Sequence, residues 1–304
     1  MEITSDIDLG EEESAQMELH SFLNIMNILM GELQLIRLDL GLPDALAESY
    51  RMTENVLAGV RAGRLTQDLA LELSSVGFFF TREVREAQAA LPDPDPALEE
   101  SITNVLSILG VAAVRLREYF DRLRTGLQWQ VHPITRLTEN FMKFFAAVEK
   151  NSRGRYHIIF NVAAQEANDY LVNLRIEASE GRDAVLMPPV MQDVFRDLIA
   201  NARKYTPPGG EIKAGLYEDG KELRMVVEDN GCGIPSDEIG RVVEFGFRGR
   251  LTRDRATQGG GFGLTKAYVN TRRLGGRMWV DSEEGKGTRI TIRIPCPTAV
   301  SAAG

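Results

Sequence analysis

The sequence predicts an α+β chain in which an N-terminal antiparallel helical bundle is followed by an α/β sandwich. Three observations carry this reading. From about residue 14 to 125, apolar residues recur at spacings of three and four, as helices require. From about 155 to 296, alternating strand-like runs are interleaved with helical patterns and many glycines. At 304 residues with 43% apolar side chains, the chain is long enough to fill two cores.

In the first helix Leu19, Phe22, Met26, Leu29, Leu33, Ile36 and Leu40 form a coiled-coil-like seam, which requires burial along its whole length. GLPD at 41–44 ends it, because Gly41 supplies a C-cap and Pro43 blocks continuation. Two further helical stretches, about 45–62 and 65–90, stop at LPDPDPA. The last, about 96–125, repeats the seam through Ile102, Leu106, Leu109, Ala113, Leu116, Phe120 and Leu123. Four such helices make a bundle, closed within one chain or shared across a dimer. In the second half, YHIIFNV and YLVNLRI read as paired strands and VMQDVFRDLIANARKYT as an amphipathic helix. ELRMVVED is a strand, TKAYVNTRRLG a helix, and GRMWVDS with TRITIRIP a closing hairpin pair. The expected organisation is a disordered tail at 1–13, the bundle at 14–130, a linker at 131–150, the sandwich at 151–297 and a second tail at 298–304.

Composition narrows the function classes. A net charge of −9 spread along the chain argues against nucleic acid as a main partner, since phosphate contacts need clustered cations. No apolar run is long enough to span a bilayer, and MEITSDIDLGEEESA lacks a basic and then apolar signal region, so a cytoplasmic chain or the cytoplasmic portion of a longer one is expected. Cys232 and Cys296 match no metal-ligand spacing and read as small residues in a reducing compartment.

Four segments carry candidate chemistry. ELRMVVED runs into NGCGIP, placing Asp229, Gly231 and Gly233 at alternate positions ahead of Ile234. A carboxylate at a strand end followed by glycines lets the backbone approach a flat ligand while the acid accepts from an exocyclic amine; an ordinary Asn-Gly turn is the simpler reading. GGGFGLTKAYV, with Gly259, Gly261, Gly263 and Leu264, leads from a loop into a helix whose N–H groups can hold phosphates. Between the two lies FGFRGRLTRDRATQ, an Arg-rich stretch suited to a lid. GKGT at 285–288, ending at Thr288, is a hairpin loop or a third binding element. Asp197, Asn201, Lys204 and Tyr205 fall at helical spacing, with a carboxylate, an amide and a cation on adjacent turns.

In this order and spacing the four segments resemble the ATP-binding domain shared by histidine kinases, gyrase, Hsp90-type chaperones and MutL. RDLIANARKYT resembles the N box, DNGCGIP the G1 box, GGGFGL the G2 box and GKGT the G3 element. The resemblance implies that Asn201 coordinates Mg2+, Lys204 approaches the phosphates of ATP, Tyr205 packs near the base and Asp229 accepts from the adenine amine. It makes Asp197 the polar residue one turn before the magnesium ligand and a candidate catalytic residue. PPVMQDVFRDLIANARKYTPPGG and LGGRMWVDSEEGKGTRITIRIP look specifically like histidine kinases. The lid departs from families with a full F box, which carry a Phe near Val243; here Phe247 is the match, and Arg248 or Arg253 is the candidate phosphate contact.

A histidine kinase needs a histidine on the first bundle helix. Of three histidines, His132 precedes a proline and His157 sits in a strand-like run, whereas His20 lies beside the seam. ELHSFLNIMNIL resembles the H box, with Asn24 four residues after His20. The resemblance implies that His20 is the phosphoacceptor and that Asn24 positions water for dephosphorylating a response regulator receiver domain; the seams on the first and last helices, costly to expose, lead us to expect a homodimer. Ser21 departs from the acid that commonly follows the histidine. A nucleotide-sensing scaffold and a serine kinase of the mitochondrial dehydrogenase kinase type remain the alternatives.

Overall fold

The computed structural model describes residues 1–7, 9, 11–41, 44–61, 68–89, 96–125, 127–150, 152, 154–179, 181–251 and 261–297; the side chains of 11–18, 20, 21, 70, 96, 97, 117–119 and 121–125 are outside the description. The chain divides into two compact units, one of Leu9–Gly126 and one formed by Met1–Asp8 with Leu127–Gly304.

The first unit is an antiparallel bundle of α1 (Glu11–Leu40), α2 (Ala47–Arg61), α3 (Asp68–Ala89) and α4 (Pro96–Thr125). Each helix packs on the next and α4 returns onto α1, so the bundle closes within one chain. All seven seam residues of α1 are buried. On α4 the core register is shifted from the expected seam: Val105, Ile108 and Ala112 join Leu109 and Leu116 inside, while Leu106 is 42% exposed and Ala113 only half-buried. The physical reason is that α4 touches both α1 and α3, and a helix with two neighbours buries a wider stripe than a two-helix seam. The Leu123 side chain lies outside the described residues. Glu83 of α3 caps the start of α2, accepting from the backbone N–H of Glu48 at 2.9 Å and of Ser49 at 3.0 Å.

The second unit is a two-layer sandwich. Its elements are β1 (Gln130–Pro133), α5 (Ile134–Lys150), β2 (Ile158–Ile159), β3 (Tyr170–Ala178), β4 (Ala184–Met187), α6 (Pro189–Tyr205), β5 (Glu211–Glu218), β6 (Glu222–Asp229), α7 (Gly263–Arg273), β7 (Arg277–Glu283) and β8 (Gly287–Pro295). Six strands form one mixed sheet in the order β2-β3-β5-β6-β8-β7, and β1 pairs with β4 separately. Strict alternation along β5 and β6 puts Ile212, Ala214, Leu216, Leu223, Met225 and Val227 on the buried face. Against that face lie α5, α6 and α7.

Two expectations need correction. Residues 131–150 do not form a linker. They supply most of β1 and all of α5, whose Leu137, Phe141 and Phe145 at helical spacing enter the sandwich core. Phe141 meets Phe195 of α6 edge to face. Nor are the first residues a disordered tail. Glu2 bridges Trp279 antiparallel, the Ile3 N–H donates to the Met278 carbonyl at 2.9 Å, and Ile3 is 2% exposed. An edge strand leaves unpaired backbone groups, and this segment satisfies those of β7. YHIIFNV and YLVNLRI do pair, as β2 and β3, but parallel and over two residues.

Candidate functional site

Helix α6 begins with Pro189 at its first turn and ends at Tyr205, with Thr206 as its C-cap ahead of two prolines. Its apolar face, Val190, Val194, Leu198 and Ile199, is buried, which turns Asn201 and Tyr205 towards a cavity. The far wall comes from the end of β6. There Asp229 faces Thr288 across the β6–β8 ladder, and the chain turns at once through Gly231 and Gly233.

That turn is fastened on two sides. The Cys232 N–H donates to the Tyr205 carbonyl at 3.1 Å, and the Gly285 N–H donates to the Cys232 carbonyl at 2.8 Å. Gly233 has φ 69° and no room for a side chain, since a Cβ would collide with the Glu283 backbone. The Ile234 N–H donates to Ser282 Oγ at 2.8 Å, and that hydroxyl lies 2.9 Å from Thr288 Oγ1. Helix α7 opens at Gly263, where a Cβ would meet Asn201 Nδ2 at 2.9 Å, so a side chain here would displace the amide.

The result is one cavity, open on one side, that gathers Asn201, Tyr205, Asp229, Gly233, Ile234, Leu264 and Thr288 with Leu198, Val227 and Ile290 behind them. Gly231 packs on the Tyr205 backbone, and Gly261 on that of Gly246 and Phe247. Lys204 is half-buried, its ammonium 5.2 Å from the centre of the Tyr205 ring. Phe247, Arg248, Gly249 and Leu251 line the mouth. Gly259 and Arg253 lie outside the described residues. So does the side chain of His20, although its backbone belongs to α1; Asn24, one turn on, is half-buried.

Two groups at the site have shifted titration. Burial pushes the Asp229 carboxyl up to about 6, against the lowering effect of N–H donation from Gly231, at 2.9 Å, and Thr288. Burial, followed by repulsion from Arg248 and Arg203, pulls Lys204 down to about 8. A carboxyl in an apolar slot, with Arg248 on the cavity lining and Lys204 beside Tyr205, suits a flat, amine-bearing ring joined to a polyanion.

Asp197 does not line the cavity. Its carboxylate accepts from Lys266 Nζ of α7 at 3.0 Å. Sequence reading passed over Lys266, Ser282 and Glu238. Glu238 is 9% exposed and accepts from the Arg250 N–H at 3.2 Å, holding the start of the Arg-rich stretch. No spacing rule flags these residues, because each acts through a partner distant in the chain. Among the described residues no helix is long and apolar enough to cross a membrane, and no cluster of three or more His, Cys, Asp or Glu could hold a metal ion.

Residues 188–298 match the family model described as histidine kinase-, DNA gyrase B-, and HSP90-like ATPase. The sensor histidine kinase WalK of Bacillus subtilis is 38% identical over 104 residues, 34% of this chain and 17% of that protein. The adaptive-response sensory kinase SasA of Synechococcus elongatus is 37% identical over 109 residues, 36% of this chain and 28% of that protein. The sensor protein SrrB of Staphylococcus aureus is 32% identical over 133 residues, 44% of this chain and 23% of that protein. The matched segment thus spans less than a third of the length of each of these relatives. Among solved structures, the catalytic domain of the histidine kinase ThkA aligns over 55% of this chain and 97% of its own, with a TM-score of 0.40 and 18% identity. The mycobacterial sensor histidine kinase MprB gives the same coverage and TM-score at 22% identity.

Proposed function

We propose, from the premise that residues 188–298 are a domain of the histidine kinase-, DNA gyrase B-, and HSP90-like ATPase family, that this chain is a cytoplasmic, homodimeric histidine protein kinase. In this reading it binds Mg-ATP, phosphorylates His20 and passes the phosphoryl group to an aspartate of a response regulator receiver domain. The observation that carries it is the gathering of Asn201, Tyr205, Asp229, Ile234, Leu264 and Thr288 on one cavity at the start of α7.

Each residue has a task in this reading. Asp229 accepts from the adenine amine, and Ile234, Leu264 and Val227 pack the ring faces. Lys204 and Arg248 offset phosphate charge, aided by the N-terminal end of α7. The amide oxygen of Asn201 is a hard ligand that would fit Mg2+, the remaining oxygens coming from the phosphates and water. Bound Mg2+ supplies charge neutralisation for phosphoryl transfer. A neutral imidazole ring nitrogen of His20 is the nucleophile, and Asn24 orients water when phosphate is removed from the regulator.

Incubation with γ-labelled ATP tests this. Acid-labile label mapping to His20, lost in His20→Gln while nucleotide binding survives, is the expected outcome. Ser21 after His20, and a bundle that closes within one chain, favour the nucleotide-sensing scaffold as second reading. ATP binding with no label incorporated would select it. Acid-stable label on a serine would select a protein serine kinase.

A further inference from the structure

We infer that Lys266 is a positioning residue that withholds the Asp197 carboxylate from the nucleotide phosphates. The inference rests on the ATP-site reading above and deepens it. Asp197 lies one turn before Asn201 on α6, so the two side chains occupy neighbouring positions on one helix face. A free carboxylate one turn from the residue offered to the triphosphate would add repulsion where the site must receive several negative charges. Lys266 removes that charge: its Nζ donates to Asp197 Oδ2 at 3.0 Å, and the residue is only 5% exposed.

The setting distinguishes this from a solvated surface pair. Lys266 is flanked on α7 by the buried Thr265, Ala267 and Tyr268, where an ammonium is costly to desolvate unless it meets an anion. It lies three residues after Gly263, the point at which α7 touches the Asn201 amide. One ion pair therefore docks the glycine-rich start of α7 onto α6 and cancels the carboxylate charge just behind Asn201. The same contact leaves Asn201, and not Asp197, as the oxygen ligand facing the cavity.

Calorimetry on the full chain tests this, using adenosine, ADP and a non-hydrolysable ATP analogue in the presence of chelator, so that protein charge alone acts on the phosphates. Lys266→Met is expected to lower affinity for the ATP analogue by about tenfold relative to adenosine, a size set by one uncompensated charge across a partly wet cavity. ADP falls between. Lys266→Arg, and Asp197→Asn combined with Lys266→Met, should restore the wild-type ratio, the second because it removes both charges together. Lys266→Gln, which still donates to Asp197 without cancelling its charge, gives the same reading where Lys266→Met does not fold. An unchanged ratio in Lys266→Met or Lys266→Gln, or a loss shared equally by adenosine, overturns the inference and leaves the pair a helix-docking contact only. Wild-type protein that binds neither adenosine nor the ATP analogue overturns the nucleotide reading instead.

Discussion

Burial holds the Asp229 carboxyl at about 6, against 3.8 for the free group, although two backbone N–H groups donate to it. Because the folded-state value is the higher one, the folded chain binds more protons than the unfolded chain between those two pH values. Stability contributed by this group therefore falls as pH rises from about 4 to about 6, and the whole penalty, about 3 kcal/mol, is present above that window. Asp229→Asn keeps the shape and an acceptor while removing the charge. It is expected to raise unliganded stability by about 1–3 kcal/mol at pH 8, to lose that gain towards pH 4, and to abolish adenine-nucleotide binding. Urea melts at both pH values, paired with calorimetry, check it; a destabilised variant that still binds nucleotide would mean that Asp229 is structural. The acid and its glycines were legible in sequence because a turn that must admit a flat ligand needs those residue types in that order. Lys266 and Ser282 were not, since a lysine in a helix and a serine in a strand show their role only once α6 meets α7 and the β7–β8 turn folds onto Gly233.

At the scale of elements, helices with seven-residue repeats were read to within a few residues, because periodicity is a local property. What escaped was pairing at long range. Strand β5 binds β3 on one side and β6 on the other, yet its sequence EIKAGLYE alternates too quietly around Gly215 to stand out. Helix α5 was hidden behind the His132-Pro133 punctuation, although Leu137, Phe141, Phe145 and Val148 carry a helical face. The N-terminal segment is the clearest case, since a few polar residues around Ile3 and Ile7 look like a tail until the edge of β7 is known. Tyr268 of α7 donates to the Ser5 carbonyl at 2.6 Å, and Ser5 Oγ donates to the Gly240 carbonyl at 3.2 Å, so the segment is tied to three parts of the sandwich. Ile3→Ala should therefore cost about 2–4 kcal/mol, the usual loss for a fully buried aliphatic side chain. A tail residue would cost nothing measurable, and a urea midpoint unchanged by the substitution would return residues 1–7 to that status.

For the molecule as a whole, connectivity makes the bundle an insertion: the chain extends the edge of the sandwich with residues 1–3, leaves to form the unit of Leu9–Gly126, and returns at Leu127. The bundle closes on its own core and still leaves apolar side chains outside. Helix α1 exposes Ile28, Leu35 and Leu38, and its neighbour α4 exposes Leu106, Val111 and Val114, with the glycines Gly31 and Gly110 also exposed and open to close approach. Leu38 at 70% exposed is unusual for a leucine, and the two helices that carry these six side chains pack on each other. Spacings of seven and three from Ile28 through Leu35 to Leu38 repeat the logic of the buried seam, offset around the helix. We therefore assign the proposed homodimer contact to α1 and α4, and leave the exposed Leu71 and Phe78 of α3 outside it. Light scattering at micromolar concentration should give twice the chain mass for the wild type and the single-chain mass for Leu35→Glu with Leu38→Glu. Those substitutions lie on already exposed positions, so thermal stability of the sandwich should be unchanged, while Phe78→Glu should leave the dimer intact. Dimerisation lost in Phe78→Glu and kept in the α1 variant would move the contact to α3; a monomeric wild type would remove the dimer and leave the bundle self-sufficient.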